Sequence, residues 1–329
     1  MAFKDIAGNV RIKRILKLAL ERGRVPNSLI FGGPDGVGKS ALALTLAKTL
    51  NCRTLTADSC DECPSCRAID AGAHPDVLVL TAEVRDVKIE QTRLLKQMAY
   101  LRPMTGKRRV FIIEEAENLN EPSANSLLKV LEEPPDFTHI ILVTASPHRL
   151  VPTIRSRCQT LSFSPIGREE IEEILIEREF SPEQARILAL LVEGNLERAL
   201  ELEWDAVRAL KDEAWELFAA LDSADRSSLF LERFGAVPKA VQEEFGGVLE
   251  LFSSFVRDML LLREGGDPAL LLNPDFEDRL RETAASWSAR RLAGVLAEID
   301  VLLVELDKNM NKGLLATTFF SNYGELRHA

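Results

Sequence analysis

Residues 28–50 read SLIFGGPDGVGKSALALTLAKTL. The apolar run from Ser28 to Phe31 is stopped by Gly32, Gly33 and Pro34, and from Lys39 the apolar residues return at helical spacing. Strand, glycine loop and helix in that order belong to parallel α/β folds. Gly33 to Ser40 fits GxxxxGK(S/T) in the flanking context the pattern requires. Its glycines let backbone N–H groups turn inward around phosphates, and the helix start adds a favourable dipole. Lys39 would meet the β/γ charge and Ser40 would ligate Mg²⁺. The expected ligand is therefore a nucleoside triphosphate such as ATP, held by Gly33, Gly36, Gly38, Lys39 and Ser40.

Further short strands are predicted at Val77 to Leu80, Val110 to Ile113 and Ile140 to Thr144, with helices near Ile89 to Tyr100 and Pro122 to Leu131. The strand Val110 to Ile113 ends in Glu114 and Glu115, which a parallel sheet would deliver to the edge that carries the phosphate loop. Glu114 takes the place of a metal-orienting aspartate, and Glu115 that of the base activating water for attack on the γ-phosphate. Glutamate is one methylene longer than aspartate, so Mg²⁺ with its strict octahedral preference is held less well and hydrolysis suffers.

Upstream, residues 1–27 read as an amphipathic helix ended by Gly23 and Pro26. Beyond Ser164, Pro165 and Gly167 the β-type runs stop. The expected architecture is an α/β phosphate-loop domain with a parallel sheet over residues 1–165, followed by two all-α domains, a small one over 166–203 and a bundle over 204–329. Helices in the bundle are predicted at Ala209 to Leu221, Val248 to Leu262, Ala289 to Leu306 and Gly313 to Tyr323.

Cys52, Cys60, Cys63 and Cys66 form C-x7-C-x2-C-x2-C in an insertion at 52–66. Four thiolates at short spacing suit tetrahedral Zn²⁺. A ferredoxin-type cluster would want a fourth cysteine after a three-residue gap beyond Cys66, and none is there. With four protein ligands no position stays open for water, so the zinc site is expected to be structural. Cys158 reads as a small core residue.

The charge balance is uneven. Residues 1–165 carry 23 basic against 18 acidic side chains and the remainder 18 against 33, for a net −10. That balance excludes a chain that grips nucleic acid tightly by itself, so contact with DNA should be shared with other subunits. No apolar stretch approaches the ~20 residues that span a bilayer, and the amino terminus lacks the basic stub and apolar block of a secretion signal. A cytoplasmic protein with reduced thiols and no membrane contact is expected.

Together these residues resemble the bacterial clamp-loader branch of the AAA+ ATPases. The stretch from Asn125 to Pro135 is similar to the branch's helix before the sensor strand, and Thr144 falls at the first sensor, a polar group that feels the γ-phosphate. Ser156, Arg157 and Cys158 look like the clamp-loader signature whose arginine reaches a neighbouring subunit's ATP. A guanidinium supplied from outside neutralises charge on the transferred phosphoryl group. Without that signature, Arg157 would read as an ordinary surface arginine paired with a carboxylate.

Ala71 to Asp76, with the cysteine module, looks most like one non-motor subunit of the branch, and Asn309, Met310 and Asn311 resemble its oligomerising collar. The partners this implies are the tau/gamma and delta subunits of a hetero-pentameric loader, a sliding clamp and primed DNA, with no polymerase chemistry in this chain. One departure is telling. The motor subunits carry an arginine in a GxxR pattern, but Gly194 is followed at that spacing by Glu197, with Arg198 rotated about 100° away. A carboxylate there disfavours a triphosphate, so ATP binding with weak hydrolysis is expected. The alternatives are an active tau/gamma-like motor and a nucleotide-free scaffold.

Overall fold

The computed structural model describes residues 1–55, 57–81, 89–222, 228–234, 242–307 and 312–326. They form two compact units, Met1–Ala185 with Val192–Glu201, and Arg186–Leu191 with Leu202–Ala329. In the first unit β1 (Ser28–Gly32), β2 (Val77–Leu80), β3 (Arg109–Ile113), β4 (Thr138–Thr144) and β5 (Gln159–Ser162) build one parallel sheet in the order β2-β3-β4-β1-β5. Every residue of β1, β3 and β4 is buried, as expected of parallel strands covered on both faces. The edge strand β5 buries only Leu161, which is why it carries no apolar run to announce it.

The sheet is wrapped by α1 (Val10–Glu21), α2 (Lys39–Asn51), α3 (Pro64–Asp70), α4 (Ile89–Ala99), α5 (Glu121–Glu132) and the short α6 (Pro152–Arg155). The helix expected over residues 1–27 is shorter, because a 3-10 turn occupies Phe3–Asp5 and α1 starts only at Val10. Gly8 (φ +63°) and Asn9 (φ +47°) break the periodicity between them. The Asn9 side-chain amide donates to the carbonyls of Val37 and Ser164, tertiary contacts that no local pattern announces.

Next come α7 (Arg168–Glu177), α8 (Pro182–Leu191) and α9 (Leu196–Glu201), and no strand follows β5 among the described residues. All of this stretch groups with the sheet except Arg186–Leu191, the end of α8. The second unit contains α10 (Trp204–Leu221), α11 (Ser228–Phe234), α12 (Gln242–Arg263), α13 (Glu277–Ser286), α14 (Ala289–Asp307) and α15 (Lys312–Leu326). Its core is aromatic, with Phe218, Phe252 and Phe255 packed edge-on or tilted at centroid distances of 5.2 to 6.1 Å. The four bundle helices read from the sequence are present, whereas α11 and α13 were not foreseen. Asn309, Met310 and Asn311 lie outside the described residues.

The β2 edge is locked by a buried ion pair. Asp76, fully buried just before β2, accepts 2.8 Å hydrogen bonds from the N–H groups of Met104, Thr105 and Gly106 and from the Arg109 guanidinium. His74 joins the same cluster, bonding the Ser65 hydroxyl at 3.1 Å through Nε2. The segment that marks the family resemblance is thus structural cement between α3 and the sheet. Burial pushes the Asp76 carboxyl up, but the three N–H donors and Arg109 outweigh it and hold the pKa below the ordinary 3.8.

Removing one partner of a buried pair strands the other, so Asp76→Ala should cost about 3–5 kcal/mol in chemical denaturation. Since the folded value is the lower one, this stabilisation is complete above the unfolded pKa and is lost as pH falls through the folded pKa. Asp76→Asn, which cannot titrate, should therefore flatten the acid limb of the stability curve.

Candidate functional site

At the end of β1 the backbone needs glycine for two concrete reasons. A Cβ on Gly33 (φ +150°) would lie 2.4 Å from the carbonyl oxygen of Phe163, and one on Gly36 (φ +67°) would lie 1.6 Å from Asn195 Oδ1. The second contact seats α9 directly on the loop. The Glu197 N–H donates to the Gly36 carbonyl at 3.3 Å, and Asn195 Oδ1 caps the helix by accepting from the Arg198 N–H at 2.8 Å.

Lys39 is 6% exposed, and its ammonium donates to the carbonyls of Gly33 (2.8 Å) and Pro34 (2.5 Å) and to Asp35 Oδ1 (3.2 Å). A buried ammonium has to be satisfied, and the loop folds its own oxygens around it. Ser40 Oγ donates to Glu114 Oε2 at 2.6 Å, joining the start of α2 to the end of β3. Sheet order makes this geometry possible. Gly32 pairs with Thr144 and Ile113 with Leu142, so the ends of β1, β4 and β3 sit side by side.

A cleft of about 480 Å³ opens over this edge, lined by Gly36, Gly38, Lys39, Ser40, Glu114 and Glu115, with Thr144 on its floor. Apolar walls come from Ile6, Ile166, Leu196 and Leu200. Its carboxylates are Asp5, Asp35, Glu114, Glu115, Glu117 and Glu197, facing Lys39 as the one cationic side chain of the lining. Burial raises the Glu114 pKa, reinforced by the like charges of Glu115 and Glu197 and opposed by Ser40 and Lys39. Glu117 Oε2 is buried without a hydrogen-bond partner, while its other oxygen accepts from the Ala145 N–H at 3.1 Å. An orphaned carboxylate oxygen and surplus negative charge are what a cleft that takes a divalent cation with its ligand would show.

Other anticipated residues fall as follows. Glu115, in the left-handed conformation (φ +47°), accepts from the Asn118 amide at 2.9 Å. Thr144 is buried, and its Oγ1 accepts from the Ser146 N–H at 3.0 Å. Glu197 lines the cleft and Arg198 is not part of the lining. Arg157 lies outside it as well, with Nε donating to Glu132 Oε1 at 2.7 Å and an Nη donating to the Thr153 carbonyl at 2.8 Å. In the single chain this arginine is carboxylate-paired.

The sulfur atoms of Cys52, Cys60, Cys63 and Cys66 all lie within 4.8 Å of one another, close enough to share one metal ion. N–H groups of Leu55 and Cys63 point at the Cys52 and Cys60 sulfurs at 3.3 Å. Donors from Cys63 and Glu62 bring the Cys60 thiol down to about 6, while burial pushes Cys66 up to about 12. Four thiolates cannot share this space without a cation, so the donor set fits a metal. Cys158 is half-buried against the sheet core. The sequence reading missed Lys48, fully buried on α2 and paired with Asp61 (2.6 Å) of the cysteine insertion and with Asp70 (2.9 Å) at the end of α3, because a lysine on a helix ordinarily faces solvent. It also missed Asp5 and Glu117, which only the fold carries to the cleft.

A family model described as "DNA polymerase III, delta subunit" matches residues 8–167. The DNA polymerase III subunit delta' of Bacillus subtilis is 31% identical over 310 residues, covering 93% of this chain and 93% of that protein. The Escherichia coli subunit tau is 36% identical over 212 residues, 62% of this chain but only 33% of tau. Among solved structures, a gamma subunit-related protein of Thermotoga maritima covers 97% of the chain at a TM-score of 0.51 and 18% identity, a likeness of fold. No described helix is long and apolar enough to cross a membrane.

Gly36→Ala should push α9 off the phosphate loop, since the new methyl overlaps Asn195. A loss of about 1–3 kcal/mol in thermal or chemical denaturation is expected.

Proposed function

The chain belongs to the DNA polymerase III delta' family, and from that premise we propose a clamp-loader subunit that binds nucleotide, hydrolyses it poorly and lends its arginine to a neighbour. With the tau/gamma and delta subunits it would form a hetero-pentamer that opens a sliding clamp and closes it on primed DNA in the cytoplasm. Residues 166–203 would act as a small helical lid and 204–329 as the assembling collar.

The observation that carries this reading is the charge of the cleft, an intact phosphate loop facing six carboxylates with Glu197 where a motor subunit has arginine. Mg²⁺ would supply the positive charge that ATP needs there. Lys39 would exchange the Gly33 and Pro34 carbonyls for phosphate oxygens, and Ser40 and Glu114 would hold the cation. Glu115 would orient the attacking water, with Thr144 close to the γ-phosphate. Glu197 would repel the charge that grows during transfer, so binding outlasts turnover. The Arg157 side chain is 31% exposed, and release from Glu132 is inexpensive at such a surface. Zn²⁺ on Cys52, Cys60, Cys63 and Cys66 would be structural, since all four positions are protein sulfur.

The test is reconstitution. Arg157→Ala should leave assembly intact and lower ATPase in the complete loader, and unchanged turnover removes its role. Lys39→Ala should abolish the thermal shift given by MgATP, while strong turnover by the isolated chain would identify a motor instead. Elemental analysis should find about one zinc per chain, and paired Cys63→Ser and Cys66→Ser changes should remove it and lower the melting temperature.

A further inference from the structure

The cysteine insertion and the nucleotide cleft are joined by the first seven residues of the chain. Asp58, two residues before Cys60, accepts the Phe3 N–H at 3.0 Å through Oδ1 and faces the Lys17 ammonium at 3.5 Å through Oδ2. Ser59, buried beside it, donates through Oγ to the Met1 carbonyl at 3.2 Å, and Thr45 on α2 donates to the same oxygen at 3.4 Å. The Phe3 ring is 1% exposed beneath Lys17, whose Nζ stands 5.7 Å from the ring centroid.

From this anchor the strap turns back. The Ala2 N–H donates to Asp5 Oδ2 at 2.7 Å, and Lys13 Nζ donates to the Ile6 carbonyl at 2.5 Å. Asp5, Ile6 and Ala7 then form one wall of the cleft. At its far end the Gly8 N–H donates to Glu170 Oε1 at 2.7 Å. Short strap, buried anchor and cleft wall leave little slack. Displacement of the anchor has to move the wall, because a packed segment with both ends fixed does not deform locally.

We propose that Asp58 is a positioning residue for the nucleotide cleft, holding the strap of residues 1–7 in place from the cysteine module, so that metal in the four-sulfur cluster and nucleotide in the cleft strengthen each other's binding. The mutual effect follows from linkage, since a coupling free energy is the same in both directions. The inference rests on the reading that this cleft takes nucleotide and the cluster takes zinc.

The experiment uses the full chain in four forms: metal-loaded wild type, chelator-stripped wild type, Asp58→Ala and Asp58→Asn. Zinc content, amide exchange across residues 3–8 and MgATP affinity by calorimetry are measured on each. Asp58→Ala should keep its zinc, lose protection at the Phe3 amide and bind MgATP about ten-fold more weakly, the effect of losing one well-placed charge-assisted bond. Asp58→Asn retains the Oδ1 acceptor and should return to within about two-fold of wild type. Stripped wild type should reproduce the Asp58→Ala defect while β3 and β4 amides stay protected. An affinity within about two-fold of wild type in either the stripped or the Asp58→Ala form overturns the coupling, as does an Asp58→Asn variant as weak as Asp58→Ala. A loaded wild type that binds no MgATP defeats the nucleotide reading and the coupling together. That failure is recognised because the wild-type affinity itself is missing.

Discussion

Everything at the cleft depends on one constraint of the sheet. Parallel strands in the order β2-β3-β4-β1-β5 end on the same edge, and the pairing of Gly32 with Thr144 and Ile113 with Leu142 fixes which residues become neighbours there. A loop that turns off β1 then faces the carboxylates that leave β3, across the end of β4. The Ser40–Glu114 hydrogen bond is the direct expression of that order. A shift of β4 by one residue would send its buried side chains to the opposite face and separate the two halves of the site.

The cleft's electrostatics set its chemistry. Lys39 is satisfied by its own loop and six carboxylates line the cleft, so under the proposed reading a bare triphosphate would meet mostly like charge. A divalent cation would resolve that conflict, and it would also give the unpartnered Glu117 oxygen a partner. Arg157 lies outside the cleft and rests on Glu132.

The cysteine module is more than a surface appendage. Buried Lys48 ties it to α2 through Asp61 and Asp70, and His74 and Asp76 tie its following segment to the loop before β3. Ion pairs around a buried ammonium add little net stability compared with apolar packing, but they specify one arrangement, because removing the carboxylates leaves the buried Lys48 charge uncompensated. The module thereby reaches both the sheet edge and the amino-terminal segment.

Local pattern was enough for the phosphate loop, the acidic end of β3 and the cysteine spacing, because each is a short run whose chemistry depends on residue type and interval alone. The buried strands β1, β3 and β4 were legible for a similar reason, since strands covered on both faces must be apolar throughout. The edge strand β5, the break at Gly8 and Asn9, α11 and α13 were not, because what places them lies elsewhere in the chain. Asp5, Glu117 and Lys48 carry no local mark of their roles, and each acquires one only when the fold brings a distant partner within hydrogen-bonding distance or carries it to the cleft. Residue identity and spacing thus determined which functional groups this protein carries. The order of strands and the burial of charge, both products of long-range packing, decided where that chemistry meets and which way its charge balance falls.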